Sequence, residues 1–250
     1  EDGRRESGGL PEVPIGCGVA IRTALFNRLG GYDPSFHYYV EEYDLAAKML
    51  LAGRRVAFSR AFGVLHRKDD SNRNMDSILR SLVRNNAWVA QRYAPDGVLE
   101  WVLDETVTRY RAIAEREGAM SGYETGLNEL RETLHVQRRT PMDEELYDRF
   151  TGVSAVREHL SRVLKPSDGP VCCLMPAGAP PGKNAWAVRR VLEELRIESV
   201  DDPREATTLI PATISPGPML DACEALARDL PGARVITGWD TSRSLVGAAV

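Results

Sequence analysis

Glu41, Glu42 and Asp44 place three carboxylates within four positions, and His66 follows at the end of the next apolar run, trailed by Arg67, Lys68 and Arg73. A carboxylate at a helix opening can take the proton from a hydroxyl, and a histidine can ligate a metal or help balance a phosphate. A sugar-type hydroxyl is a poor nucleophile near neutral pH. A base within hydrogen-bond reach must therefore remove its proton as it attacks, and an anionic leaving group needs cations around it. One base suffices for a direct displacement. Acidic residues in a first helical turn are also favoured by the helix dipole alone, and Asp44 with Lys48 is an ordinary four-residue helix pair.

The elements that must hold these groups can be read around them. A helix near 23–29 should end at Gly30-Gly31. The carboxylates open a second helix from Glu41 to Ala52, with Leu45, Met49 and Ala52 as its buried stripe and Gly53 as a left-handed terminator. The small and apolar residues 14–21, and Val56-Ala57-Phe58 with Phe62-Gly63-Val64-Leu65, carry strand character. Tyr38 and Tyr39, just ahead of the helix, could stack on a sugar or anchor the helix to the core.

Together these pieces resemble the second half of a family 2 glycosyltransferase domain. They are Gly16-Cys17-Gly18-Val19-Ala20-Ile21-Arg22, Phe26-Asn27-Arg28-Leu29-Gly30-Gly31-Tyr32-Asp33-Pro34-Ser35-Phe36, Glu41-Glu42-Tyr43-Asp44-Leu45, Gly53 and His66, in matching order and spacing over roughly residues 12–93. The resemblance implies a GT-A fold and transfer of a sugar from a nucleotide-sugar donor to an acceptor hydroxyl, with inversion and a divalent metal, Mg or Mn. By position it makes Glu42 the catalytic base, where the family more often has Asp. It makes Asp44 a second catalytic-site acid that positions the acceptor or a neighbouring side chain, and His66 a residue near metal and diphosphate. Glu41, Tyr39 and Arg67 then become candidate substrate-binding residues. The first half of such a domain carries the nucleotide-binding strands and an Asp-x-Asp metal motif. This chain has no Asp-x-Asp, so the main metal ligands and donor site are expected outside it, and the chain alone is expected to be inactive. The implied partners are a nucleotide-sugar and a glycan or lipid-linked acceptor, in polysaccharide assembly.

Composition is that of a globular protein: 43% apolar and 27% charged residues, with 32 basic against 36 acidic giving a net charge of −4. That balance supplies no broad attraction for nucleic acid. No apolar run is long enough to span a bilayer, which predicts a cytoplasmic protein, with peripheral contact at the inner membrane face compatible. Cys17, Cys172, Cys173 and Cys223 match neither a disulfide framework nor a zinc pattern and read as reduced, mostly buried thiols. The absent initiator Met and the apolar last residues read as a fragment of a longer polypeptide.

Residues 1–73 are thus read as the acceptor-side half of a GT-A-type domain, 74–164 as a helical extension, 165–170 as a linker and 171–250 as the start of a second parallel α/β unit. Within the extension, Thr140-Pro141-Met142-Asp143 reads as an N-cap with a first-turn proline. In the second unit, Ala177-Gly178-Ala179-Pro180-Pro181-Gly182-Lys183-Asn184 sits where a phosphate loop belongs, but lacks the first Gly and the Ser or Thr and has two prolines in place of amide donors. Two other functions remain open: a catalytically inactive, transferase-like interaction module, and a second domain that is itself the working nucleotide- or sugar-binding part.

Overall fold

The computed structural model describes residues 9–59, 61–67, 74–179 and 182–242. The chain forms two units that are not contiguous in sequence: residues 1–16, 55–63 and 148–250 make one, and residues 17–54 and 64–147 the other.

The second of these is helical. A short helix α1 (Thr23–Arg28) ends at Gly30 and Gly31, both in left-handed conformation at φ 79° and 65°. Then comes α2 (Glu41–Leu51), closed by Gly53 at φ 68° as the sequence leads one to expect. The helices α3 (Met75–Tyr93), α4 (Asp96–Glu117) and α5 (Met120–Thr133) pack on one another around Leu79, Val83, Tyr110, Ala114 and Tyr123. The α3–α5 crossing is close because Gly122 and Gly126 face it. A Cβ at Gly122 would run into the backbone of Asp76, and one at Gly126 into the backbone of Arg80. Asp76 Oδ1 accepts the Gly122 amide at 2.6 Å. Two glycines that lower helix propensity thus let two helices meet at backbone distance.

The division between the units falls within α6 (Glu144–Thr151). This helix is capped by Asp143, whose Oδ1 accepts the Leu146 amide at 2.8 Å, so the start lies three residues beyond the expected Thr140 cap. A Thr140 cap would draw on the Met142 amide two residues on, which is already committed to Tyr93 O at 3.0 Å, whereas Asp143 finds the Leu146 amide open.

In the other unit, α7 (Val153–Val163) leads into the expected parallel α/β alternation: β1 (Val171–Leu174), α8 (Ala185–Glu194), β2 (Ser199–Val200), β3 (Thr208–Pro211), α9 (Pro216–Asp229) and β4 (Arg234–Val235). The four strands form one sheet in the order β2-β1-β3-β4, every pair parallel. The chain winds outward from β1 in one direction and from β3 in the other, so right-handed crossovers put α8 and α9 on opposite faces. Val188, Val191, Leu192, Leu209, Ile210 and Met219 are fully buried there. Asp148, 8% exposed, is held by Arg157 and Arg190, and both arginines also reach Glu194. Glu12, 6% exposed, accepts a two-pronged pair from Arg149 at 3.0 and 2.9 Å and a bond from Arg55 at 3.0 Å. The four cysteines are free thiols, and burial pushes Cys173 and Cys223 up to about 11.

The segments 14–21 and 55–65 depart from the strand expectation. Among their described residues neither contains a strand, and Phe62, Val64 and Leu65 are 53%, 51% and 62% exposed. Apolar β-formers need a neighbouring ladder to become a strand, and among the described residues none lies alongside them. Among the described residues of 1–73 the regular elements are helical, without the strands expected there. Among the described residues no helix is long and apolar enough to cross a membrane.

Candidate functional site around the opening of the second helix

The carboxylates sit on a strained entry. His37, Tyr39 and Val40 all have positive φ, at 62°, 71° and 75°, which side chains with a Cβ avoid, and Val40 is the N-cap of α2 without a side-chain cap bond. Asn85, fully buried on α3, maintains that shape. Its amide Nδ2 donates to the carbonyls of Phe36 at 3.0 Å, Tyr38 at 3.2 Å and Tyr39 at 2.8 Å. Asp33 caps the turn before it by accepting the Ser35 amide at 2.9 Å.

The three carboxylates have separate surroundings. Asp44 is fully buried. Its Oδ1 accepts from Arg92 at 2.8 Å and from the Tyr93 hydroxyl at 2.7 Å, and Lys48 Nζ pairs with Oδ2 at 2.6 Å. Arg92 in turn reaches Asp33 Oδ2 at 2.8 Å, stacks over Phe36 at 4.9 Å and donates through Nε to Gln137. Burial and then the Asp44 charge push the Tyr93 hydroxyl far up, so it stays a donor to the carboxylate. Burial raises the Asp33 carboxyl, but the bonds from Ser35 and Arg92 outweigh it and hold Asp33 below its ordinary value.

Glu41 and Glu42 are half-buried at the first two positions of α2. Glu41 Oε2 is buried and has no hydrogen-bond partner among the described residues. Tyr32, packed edge-on against Phe26 at 5.5 Å, faces this pair: burial first, then the charges of Glu42 and Glu41, push its hydroxyl up. Tyr43 is pushed up by burial and then by Glu42. Tyr39 is half-buried, its ring 4.5 Å from that of the exposed Tyr38. The acidic pair is thereby flanked by aromatic side chains and carries negative charge toward solvent.

His66 and Arg67 lie exposed in an extended run, 62–67, and Lys68 and Arg73 fall outside the described residues. Among the described residues no group of three or more His, Cys, Asp or Glu is placed to hold a metal. Among the described residues His66 therefore belongs to no such group.

Sequence reasoning missed Asn85, Arg92, Tyr93 and Tyr32. The first three sit on α3 with a spacing of seven and eight, one face of a helix, which is the signal that could have found them.

The phosphate-loop-like segment of the other unit is taken up by packing. A Cβ at Gly182 would strike the backbone of Ala212; the Lys183 amide donates to Thr213 Oγ1 at 3.1 Å, and the Ile214 amide to Lys183 O at 3.1 Å. Pro180 and Pro181 lie outside the described residues.

Comparison of the chain with protein-family models, with curated proteins and with solved structures finds no match.

Proposed function

We propose that this chain carries the acceptor side of an inverting glycosyltransferase of family 2 type, with Glu42 as the general base. The observation that carries the reading is the separation of roles at the opening of α2. Asp44 is engaged by Arg92, Tyr93 and Lys48, while Glu42 stands half-buried in the first turn of α2, directly after a loop that Asn85 holds in a strained shape. A catalytic base must be held rigidly, and its supporting groups are the ones expected to be buried and saturated.

In the proposed step the Glu42 carboxylate takes the proton of an acceptor hydroxyl as that oxygen bonds to the anomeric carbon. The bond from that carbon to the nucleoside diphosphate breaks on the opposite face, and its electron pair leaves with the diphosphate. Configuration inverts in one displacement. Tyr32 and Tyr39 flank the acidic pair, where an aromatic face suits the C–H side of a sugar ring. Asp44 is a positioning residue, and Glu41 supplies a second acceptor for acceptor-sugar hydroxyls. His66 and Arg67 face solvent, and in this reading their side chains balance the charge of the anionic leaving group. A divalent metal would supply charge balance there, but no group of this chain's described residues is arranged to hold it.

The competing reading, in which residues 171–250 form the working part, loses its main support. In an open parallel sheet the ligand crevice lies where winding reverses, here between the ends of β1 and β3. Beside those ends Gly182 packs against Ala212, and the Lys183, Thr213 and Ile214 bonds tie the loop after β1 to the segment after β3.

The test is a transfer assay on the full polypeptide that carries this chain, with a panel of nucleoside-diphosphate sugars and hydroxyl acceptors, and product stereochemistry read by proton NMR. Transfer with inverted anomeric configuration supports the reading. Retention of configuration, or hydrolysis without transfer, overturns it.

A further inference from the structure

A second polar recess lies on the other side of the strained loop. His37, Ser77, Arg80, Ser81 and Arg84 line a cavity of about 230 Å³. Four of these residues come from α3 at positions i, i+3, i+4 and i+7, so one helix face presents two hydroxyls and two guanidiniums in alternation. His37 closes the recess from the loop whose flanking carbonyls Asn85 fixes to the same helix.

The two arginines are held in place from behind. Glu129 pairs with Arg80 and accepts from Arg84 at 2.7 Å. Arg84 also donates through Nε to Asn85 Oδ1 at 3.0 Å and stacks over the Trp88 ring at 4.6 Å. Its side chain is only 12% exposed, and two of its N–H groups are accounted for by these bonds, with no further acceptor among the described residues. Glu129 is pushed up by burial, but the Arg80 and Arg84 bonds outweigh this and keep it ionised. Two guanidiniums against one carboxylate leave the recess net positive. The Ser77 and Ser81 hydroxyls have no hydrogen-bond partner among the described residues.

We propose that this recess binds a phosphate group: Arg84 and Arg80 take two of its oxygens, Ser77 and Ser81 donate to the others, and His37 covers it. Guanidinium forks with hydroxyl donors match a tetrahedral oxyanion, and a rigid, mostly buried arginine loses little freedom on binding it. The site stands on α3 and the 37–40 loop alone and does not depend on the transferase reading. His37 belongs to the loop that precedes α2, so binding should stiffen that loop.

The test is isothermal titration calorimetry of the full chain with inorganic phosphate, with glucose 6-phosphate, and by co-sedimentation with phosphatidic acid vesicles against phosphatidylcholine vesicles. Saturable phosphate binding that weakens about tenfold or more in both Arg80→Gln and Ser81→Ala supports the site, since each removes one charged or hydroxyl contact at a partly exposed position. Tighter binding of the sugar phosphate than of inorganic phosphate assigns a soluble phosphomonoester. Sedimentation with phosphatidic acid vesicles alone assigns a lipid headgroup. No saturable binding in any arm at ligand concentrations up to about 10 mM overturns the proposal, as does binding unchanged in both variants. Arg84→Lys, checked for folding by circular dichroism, provides an independent arm: it keeps the charge and should still weaken binding by losing the fork.

Discussion

The Asn85 side-chain amide donates to the Tyr39 carbonyl at 2.8 Å, across 46 residues of chain, and so ties the interior of α3 to the loop that opens α2. The same nitrogen also reaches Phe36 and Tyr38, which makes it the main restraint on three residues with positive φ. Asn85→Leu should strand those carbonyls in an apolar setting and cost about 2–3 kcal/mol. Urea denaturation followed by circular dichroism measures it. A loss below about 0.5 kcal/mol would show that the loop holds its shape without the clamp.

Asp44 is expected to matter through Arg92 and Lys48. Asp44→Ala takes from a mostly buried guanidinium one of its two carboxylate partners, leaving it Asp33 and Gln137, and should destabilise the helical unit by about 1.5–3 kcal/mol. In an Arg92→Met background the same replacement should cost much less, because that cation is gone. Equal costs in the two backgrounds would argue that Asp44 acts independently of Arg92.

Acid should weaken both units, in different pH windows. Asp33 and Glu129 have folded values below their ordinary 3.8 and 4.5, so the stability they contribute is complete above those values and is lost as pH falls through the folded values. His159 is lowered by burial, with Arg162 adding to the effect and Asp240 opposing it, and its Nδ1 is buried without a hydrogen-bond partner among the described residues. Its unfolded form takes a proton first, so stability falls as pH drops below the ordinary 6.5 toward the folded value. Melting temperature recorded from about pH 8 to about pH 5, which spans an ordinary histidine titration, should decline in the wild type. It should stay nearly flat over that span in His159→Gln. A decline of the same size in that variant would assign the effect elsewhere.

The α3–α5 crossing makes a sharper stability prediction. Gly126→Ala places a methyl group against the Arg80 backbone and Val83, and Gly122→Ala against Asp76, so either should force the helices apart at a cost of about 1–3 kcal/mol or more. Gly97→Ala, with open space around it in the first turn of α4, serves as the control and should be neutral or slightly stabilising. Thermal unfolding of the three variants decides it.

What the sequence disclosed follows the reach of each signal. The α2 boundaries were legible because Gly53 and the Leu45–Met49 spacing are local, and β1, β3 and α8 because apolar period and length agree over several residues. The strand β2 was missed at two residues, too short for any period to show. Residues 14–21 and 55–65 have strand composition, but pairing depends on a neighbour that composition does not reveal. At the site, only the family resemblance separates Glu42 from Asp44, since nothing local shows that Arg92 and Tyr93 come 48 and 49 residues later to hold Asp44. Asn85 and Arg84 read as an ordinary polar helix face until the loop and α5 are laid against it.

The central claim is that Glu42 removes the acceptor proton. The most direct measurement is the transfer rate of Glu42→Gln in the full polypeptide, with nucleotide-sugar binding measured by calorimetry on the same preparation. The replacement is nearly isosteric and leaves the Asp44 network intact. The account expects transfer to fall by about 10²–10⁴-fold with donor affinity within about threefold of wild type. Transfer within about threefold of wild type in the folded variant would contradict it.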